Sequence, residues 1–441
     1  MHRRAFLAAL AAAPVAFAPN RGFASAPATP VRIDGGPLRS RIEALSVFGR
    51  PAGGTFADGV SRVAYSDADI AGRTYVMGLM RAAGLQPRID AAGNIYGRRA
   101  GTDASLPPIL FGSHIDSVPN GGNFDGDLGT LAALSVLEAF GASGVQTRHP
   151  LEMVVWAHEE GFAFGRALAC SRIVAGEFSD TDLAETWNGM TRADAIRRIG
   201  GAPDRIREAM RPKGSIHAYL ELHIEQGGTL DRAGIPVGIV EGIVAIDKYD
   251  AVVTGFANHA GTTPMGERQD ALVAASRLTL AVREAVTTRP GRQVGTVGHI
   301  EVTPNSPNVI PGLAKLSVEL RDLSQDTLDA MAVDIRARAA QIASETRTTV
   351  DLTRIMHAEG ASASAQVQAA IERASGALGL KTMRLPSGAG HDAQMMAKIA
   401  PMGMIFVPSV AGVSHSPKEL TRWTDCENGA NVLAGAILAL D

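Results

Sequence analysis

The chain has 441 residues, of which 46% are hydrophobic and 20% are charged, and its formal net charge is −3. This length exceeds one ordinary domain, and the composition is that of a globular protein. The lack of a basic excess argues against nucleic-acid binding, and two cysteines, Cys170 and Cys426, are too few for a disulfide framework.

Residues 1–28 have the residue order of a secretory signal. Arg3 and Arg4 precede an apolar run from Phe6 to Phe17, and small residues follow at 24–28. The apolar run is too short for a stable membrane anchor. The paired arginines resemble a twin-arginine signal, so we expect export to the periplasm. A plain or membrane-tethered N-terminal helix is the alternative.

The next segments predict a strand–helix–strand unit. Periodicity predicts a helix over residues 67–85, with Ser66 or Asp67 as its N-cap. Short apolar runs at 109–113 and 153–157 predict strands, and residues 127–140 between them predict a helix. This order indicates a mostly parallel sheet in an α/β protein. Ligands bind such sheets at the carboxyl ends of the strands.

The pattern of predicted strands and helices changes at about Ile243. From there β-rich and helical segments follow one another in a ββ-α-β-β-α-β-like order. This pattern predicts a ferredoxin-like α+β insert over residues 243–355. The insert interrupts a discontinuous main domain, formed by residues 31–242 and 356–441.

The loops after the two predicted strands carry five candidate site residues. The segment GSHIDSVPNGGNFDG places His114, Asp116 and Asp125 among glycines. The segment HEEG places Glu159 and Glu160 at the end of the second strand. Adjacent side chains face opposite sides of a regular strand, so both glutamates can reach one site only where the strand ends. The glycine that follows them permits such a turn.

Three later segments carry further candidates. LELHIEQGG places His223 and Gln226 three residues apart, on one side of what we interpret as a helix. SGAGHDA places His391 and Asp392 in a Gly-rich turn, and GVSHSPKE places His415 in a loop after an apolar strand. Four other histidines lack such surroundings, and we expect structural or surface roles for His149, His217, His299 and His357.

A metal site explains these candidates together, because imidazole and carboxylate ligands suit zinc, manganese or cobalt. Five residues can supply ligands: His114, Asp125, Glu160, His223 and His415. That number fits two metal ions about 3.5–4 Å apart, with Asp125 as the bridge. Glu159 is then left as a general base. Asp116 can accept the other ring N–H of His114 and fix its tautomer.

The chain resembles the hydantoinase/carbamoylase-type amidases, which include N-carbamoyl-L-amino acid hydrolase, allantoate amidohydrolase and bacterial β-ureidopropionase. This family lies within a wider clan of dinuclear zinc aminopeptidases and carboxypeptidases. The matching motifs are GSHIDSVPNGGNFDG, HEEGFAFG, ELHIEQGGTL, NHAGTTPMGER, NSPNVIP, VELRD, SGAGHDA and SHSPKE. They span Gly112 to Glu419, which is most of the chain after the signal.

The resemblance implies a zinc-exopeptidase-like catalytic domain with an inserted lid and dimerisation domain. It implies the five ligands named above, with Asp125 bridging and Glu159 as the base. It also implies a homodimer in which His259 reaches a neighbouring active site and stabilises the oxyanion. Four residues hold the substrate in this interpretation: Gln226, Asn308, Arg321 and His391. Arg321 then pairs bidentately with a substrate carboxylate.

The activity implied is hydrolysis of a linear C–N amide bond in an N-carbamoyl (ureido) acid, by water activated between the two metals. N-carbamoyl-L-amino acids, allantoate and ureidopropionate are the candidate substrates. The alternatives are an N-acyl amino acid amidohydrolase or exopeptidase of the same clan, and a non-catalytic secreted ligand-binding protein. The chain departs from the family at Phe162 and Ala163, where Ser and Arg are frequent. This departure bears on the substrate rather than on the reaction.

Overall fold

The structure is a computed structural model that describes residues 31–441. The export signal expected in residues 1–28 lies outside these residues and stays a prediction. The α-helices of the described part are α1 (Gly35–Leu45), α2 (Asp67–Ala82), α3 (Asp127–Ala142), α4 (Ala169–Val174), α5 (Arg192–Arg198), α6 (Thr229–Ala233), α7 (Ala271–Thr287), α8 (Gln325–Thr346), α9 (Ala365–Ala377), α10 (Asp392–Met396) and α11 (Trp423–Leu440). None of these helices combines the length and the hydropathy that a membrane span requires.

The strands of the described part fall into two larger sheets and two short ribbons. In chain order they are β1 (Arg88–Ile89), β2 (Ile95–Arg99), β3 (Ile109–His114), β4 (Leu151–Trp156), β5 (Thr186–Trp187), β6 (Met190–Thr191), β7 (Ala218–Ile224), β8 (Val237–Ile243), β9 (Ala245–Thr254), β10 (Asn258–His259), β11 (Val294–Thr303), β12 (Val309–Ile310), β13 (Leu313–Asp322), β14 (Thr349–Ala358), β15 (Ala361–Ser362), β16 (Thr382–Ser387) and β17 (Met402–Val407).

The larger sheet has nine strands in the order β1-β2-β4-β3-β7-β17-β8-β15, with β16 beside β8. Its four central strands, β4, β3, β7 and β17, are parallel. Antiparallel pairs lie on both sides of this centre. Helix α3 connects β3 to β4, so the predicted strand–helix–strand unit is confirmed. The mostly parallel sheet also confirms the α/β fold class.

Helices cover both faces of this sheet, as central parallel strands require. Every residue of β3, β4, β7 and β17 is buried. One face packs against the apolar sides of α1, α2, α3, α9 and α11. The other face packs against a second core that includes α4, α5 and α10. The polar candidate site residues therefore lie at the ends of the strands and in the loops that follow them.

A buried ion pair fixes the loop that follows β3. The Arg62 guanidinium, fully buried, pairs with Asp127 and donates to the carbonyl oxygens of Ile115 (2.6 Å), Leu45 (3.0 Å) and Phe48 (2.9 Å). Burial raises the pKa of Asp127 to about 6, against the opposing effect of Arg62. Desolvation limits what such a pair adds to stability. Its effect is to set the geometry of the loop and of the start of α3.

The second sheet is antiparallel throughout, in the order β11-β13-β9-β14. Helices α7 and α8 pack on one of its faces through an apolar core of their own. The ribbon of β10 and β12 extends beyond it. The sheet occupies residues 245–358. The predicted domain boundaries, with an insert over residues 243–355, stay a prediction.

The prediction of a helix in LELHIEQGG is wrong, because residues 218–224 form strand β7. This strand lies between β3 and β17, and each of its residues is buried. Side chains alternate along a strand, so Tyr219, Glu221 and His223 share one face. The spacing of His223 and Gln226 fitted a helical turn, but the apolar run was short enough for either structure.

We predict that Gly112→Ala destabilises the fold. Gly112 pairs with Val154 of β4, and a Cβ atom added to it would lie 1.9 Å from the carbonyl oxygen of Val154. The two strands must separate to accommodate the methyl group. We expect the free energy of unfolding to fall by roughly 3 kcal/mol, measured by denaturant unfolding.

Gly141→Ala is the matched control for this substitution. Gly141 lies in helix α3, and a Cβ atom added there has no neighbour within 4 Å. Alanine favours a helix over glycine, so the free energy of unfolding should rise by about 0.5–1 kcal/mol. Equal stability of the two variants would contradict the close approach of β3 and β4.

Candidate metal centre

The ends of four parallel strands bring the five expected ligand residues to one edge of the larger sheet. His114 is the last residue of β3, and His223 lies one residue before the end of β7. Asp125 and Glu160 lie in the loops that follow β3 and β4, and His415 lies in the loop that follows β17. Ligand sites of open α/β sheets form at this edge.

His114, Asp125 and His223 form one group of possible ligands, and all three are buried. Oδ1 of Asp125 lies 3.5 Å from Nε2 of His114 and 3.2 Å from Nε2 of His223. Nδ1 of each ring contacts a backbone carbonyl, that of Asp116 (2.9 Å) or Ile224 (3.0 Å). A carbonyl only accepts, so each Nδ1 carries the proton. Both Nε2 atoms are buried without a hydrogen-bond partner among the described residues, which suits metal ligation.

Asp125, Glu160 and His415 form a second group. Nε2 of His415 lies 3.3 Å from Oδ2 of Asp125 and 3.3 Å from Oε2 of Glu160. Asp125 therefore turns one oxygen to each group, as a bridging carboxylate does. The other oxygen of Glu160, Oε1, is buried without a partner in the described part of the chain. Gln226 donates from Nε2 to Oδ2 of Asp125 at 2.6 Å, so in this structure it contacts a ligand residue.

Asp116 has a different role from the one we predicted. Its backbone carbonyl, not its carboxylate, accepts from Nδ1 of His114; the carboxylate lies 3.9 Å from that atom. The carboxylate instead accepts the backbone N–H groups of Glu159 (3.1 Å) and Glu160 (3.2 Å). It thus holds the turn that directs both glutamates toward the site. This turn begins at His158, which has a φ of 56°, before the chain reaches the glycine.

The buried carboxylates of this site interact strongly with one another and with the histidines. Burial, opposed by His114 and reinforced by Glu160, raises the pKa of Glu159 well above its usual range. Burial and Asp125 raise the pKa of Glu160 to about 8. Burial lowers the pKa of His114, but the nearby carboxylates outweigh it, and the net pKa lies well above its ordinary value. A divalent cation neutralises such a cluster, so the charge and the donor atoms both fit a metal ion.

A cavity of about 770 Å³ opens over these groups. Asp125, Glu159, Glu160, His223, Gln226, Ile246, Arg321, Met356, His391, Met395 and His415 are among its lining residues. Arg321 reaches it from the second sheet, and its guanidinium donates to Glu319 Oε1 (2.7 Å) and to the Gly388 carbonyl (2.5 Å). The His391 ring lies 4.4 Å from that of His223 and contacts Ser387 Oγ through Nε2 (2.9 Å).

Two of the expected site residues, His259 and Asn308, are not among the described residues that line this cavity. They lie together at the β10–β12 ribbon, where the Ala260 N–H donates to the Asn308 carbonyl at 3.0 Å. His259 is exposed. Phe162 is also outside the cavity lining, half-exposed, with its ring against Trp187.

No role is predicted for Glu419 or Ser414 from the sequence, although both lie in the motif that carries His415. Glu419 is buried beside Asp125, and Ser414 contacts both acids. Burial, together with Asp125, raises the pKa of Glu419 to about 7. A glutamate after a lysine in a small-residue loop has the pattern of a solvated side chain. Only its position four residues after a candidate ligand could have pointed to it.

Comparison with known proteins agrees with this geometry. The model of peptidase family M20/M25/M40 matches residues 110–439. An N-carbamoyl-L-amino acid amidohydrolase of Geobacillus stearothermophilus is 40% identical over 91% of this chain and 97% of its own length. An allantoate amidohydrolase of Escherichia coli is 34% identical over 88% of this chain and 94% of its own. A crystal structure of a hydantoinase/carbamoylase family amidase from Burkholderia multivorans superposes with a TM-score of 0.87 at 35% identity, covering 93% of this chain and 98% of that one. The chain therefore belongs to peptidase family M20/M25/M40 and, within it, to the hydantoinase/carbamoylase-type amidases, which hydrolyse C–N amide bonds.

Proposed function

We propose that the chain hydrolyses the linear C–N amide bond of an N-carbamoyl (ureido) acid. The observation that carries this proposal is the placement of Glu159 in a cavity with two ligand groups that share Asp125. Arg321 lines the same cavity and offers a charge for an acid. The names of the amidohydrolase relatives support the same substrate class.

Two divalent ions, zinc, manganese or cobalt, complete this site in our proposal. His114 and His223 would hold one ion, Glu160 and His415 the other, and Asp125 would contact both. When bound, such ions polarise the amide carbonyl and lower the pKa of water toward ~7. The buried, unpartnered Nε2 atoms of the first two histidines and Oε1 of Glu160 support this assignment.

Glu159 is the proposed general base. It belongs to neither ligand group, yet its Oε2 lies 3.8 Å from Nε2 of His114. Its backbone is held by Asp116, which limits the positions that the carboxylate can reach. In this position it can take a proton from the attacking water and pass it to the leaving nitrogen.

Arg321 is the proposed anchor for the substrate carboxylate, which it can bind bidentately. Its present acceptors, Glu319 and the carbonyl of Gly388, occupy Nε and one N–H of Nη1, so the remaining N–H groups of Nη1 and Nη2 can bind a substrate acid. Gln226 and His391 line the same cavity and offer hydrogen bonds to the ureido group. Leu168, Ile246, Met356 and Met395 are the larger apolar residues of the lining, which also includes charged residues such as Arg166, Arg172 and Lys398.

His259 and Asn308 act from a second subunit in this proposal. Both lie outside the cavity of their own chain. Helix α7, in the same sheet-and-helix unit as the ribbon, exposes Leu272, Val273 and Leu280. An exposed apolar face of this kind is typical of an association surface. A homodimer that buries it can bring the ribbon of one chain to the cavity of the other.

Glu159→Gln should abolish most turnover while metal binding is retained. The amide keeps the size of the side chain but cannot accept the proton of the water. We expect kcat to fall by about 10²–10⁴-fold, with the metal content per chain unchanged by elemental analysis. Glu138→Gln is the control, because Glu138 of α3 pairs with Arg41 of α1 and belongs to neither ligand group. Near wild-type turnover of metal-loaded Glu159→Gln protein would contradict the assignment of Glu159 as the general base.

A substrate panel tests the activity itself. The N-carbamoyl, N-acetyl and glycyl forms of one apolar L-amino acid should be compared with allantoate and ureidopropionate. We expect kcat/KM for the N-carbamoyl form to exceed that for the other two derivatives by about 100-fold or more, because buried polar groups lose their partners with an analogue. A preference for the dipeptide would identify an exopeptidase, and no turnover of any form would favour a binding protein.

Mixed dimers test the contribution of His259 from a second subunit. Glu159→Gln and His259→Ala chains should each be inactive alone, since one lacks the base and the other the oxyanion donor. A dimer of one chain of each kind keeps one complete site of two, and random pairing of equal amounts makes half of the dimers mixed, so co-expression should restore about a quarter of the wild-type turnover. Titrated mixtures of separately purified chains, before and after reassembly, measure this recovery. Complementation that never exceeds the sum of the parents would place His259 in its own chain's site or in none.

A further inference from the structure

Glu419 is a buried carboxylate with no cationic partner in the described part of the chain. It lies four residues after His415, and its exposed fraction is only 4%. None of the ion pairs within residues 31–441 includes it. Burying an acid without a cation is costly unless hydrogen bonds compensate it. The hydrogen bonds of the Glu419 carboxylate therefore indicate its role.

The carboxylate joins the loop that carries Asp125 to the loop that carries His415. Oε1 accepts the backbone N–H groups of Phe124 (2.9 Å) and Asp125 (3.1 Å). Oε2 accepts the hydroxyl of Ser414 at 2.7 Å, and that hydroxyl lies 3.0 Å from Oδ2 of Asp125. Gly122 leaves room for it, because a Cβ atom there would lie 2.0 Å from Oε1 of Glu419.

The two ligand groups depend on this junction to different degrees. His114 and His223 belong to the buried strands β3 and β7, which position them without the junction. His415 has a φ of 52° and a half-exposed side chain in a loop. Within residues 31–441, the backbone N–H groups of Ser414 and His415 donate no backbone–backbone hydrogen bond. The contacts of Glu419 are thus a main constraint on the distance between His415 and Asp125.

We propose that Glu419 is a positioning residue for the second metal ion, the one held by Asp125, Glu160 and His415. It fixes the backbone of Asp125 and, through Ser414, the approach of His415. The proposal rests on the two-ion part of the proposed function. Residues that orient metal ligands typically contribute about 10- to 100-fold in metal affinity.

Equilibrium dialysis of metal-free protein against a series of free Mn²⁺ concentrations tests this proposal. In Glu419→Ala, binding of the first ion should weaken less than that of the second, because strands hold His114 and His223 and only Asp125 is shared. The second should require about 10- to 100-fold more free Mn²⁺. Glu419→Gln should show a smaller shift, because its amide oxygen still accepts the N–H groups of Phe124 and Asp125. Ser414→Ala should also weaken the second ion more than the first, and it keeps the test open if a Glu419 variant fails to fold.

Asp90→Asn is the matched control. Asp90 is another acid that accepts two backbone N–H groups of its own loop, those of Ala92 (3.0 Å) and Asn94 (2.8 Å). It has no contact with the ligand residues, so both ions should bind as in the wild type. A second readout is kcat, which should be low for Glu419→Ala at limiting Mn²⁺ and recover at saturating Mn²⁺. A purely structural defect would not be restored by metal.

Three results would overturn the proposal, and they are distinguishable. Wild-type affinity for both ions in Glu419→Ala and Ser414→Ala would show that the junction does not control metal binding. Equal weakening of both ions would show a general effect on the fold. A wild-type protein that binds one ion at every Mn²⁺ concentration would remove the two-ion site, and the proposal with it. The substrate panel would still test the amidase activity on its own.

Discussion

The geometry of the candidate metal centre depends on one electrostatic constraint, which is the crowding of buried carboxylates around Asp125. Glu159, Glu160 and Glu419 all lie within this buried region, and burial raises the pKa of each. Histidines, rather than lysines or arginines, are the basic groups in contact with Asp125. Burial lowers the pKa of His114 and His223, but the nearby carboxylates outweigh it, and they also raise the pKa of His415 to about 9. Protons on the imidazoles therefore balance part of the negative charge of the cluster when no cation is bound. A site of this composition favours divalent cations over protons only if its geometry is held against the repulsion of its own acids.

Hydrogen bonds to each of the loops that carry the possible ligands hold the site against this repulsion. Arg62 fixes the loop after β3, and the carboxylate of Asp116 fixes the turn after β4. Glu419 connects the loop of Asp125 to the loop of His415. Arg62, Asp116 and Glu419 each bind backbone groups, and Glu419 also binds the Ser414 hydroxyl, so together they limit where the possible ligands can lie. The parallel strands then need only to place the starts of these loops at one edge.

Much of this site could be predicted because its residues stand next to strong local signals. Four of the candidate residues follow short apolar runs, which are typical of buried strands: His114, Asp125, Glu159 and Glu160. His223 lies beside the other candidate ligands, but on a strand and not on the predicted helix, since a seven-residue segment fits either periodicity. The supports could not be predicted in the same way. The backbone carbonyl of Asp116, and not its carboxylate, contacts Nδ1 of His114. This choice depends on backbone geometry, which the spacing of the residues in the sequence does not determine.

In our proposal, the two sheets divide recognition from ligation. The strands of the larger sheet and the loops that follow them hold the possible metal ligands, and of these His114 and His223 lie on buried strands. Arg321 comes from the second sheet, and its guanidinium donates to Glu319 and to the backbone of the larger sheet's turn at Gly388. Arg321 has further N–H groups, so a substrate acid can bind those while the contact with Gly388 continues to join the two sheets. His259, Asn308 and Arg321 all belong to residues 245–358, so their proposed contacts with substrate come from that part of the chain, whereas the possible metal ligands all lie outside it.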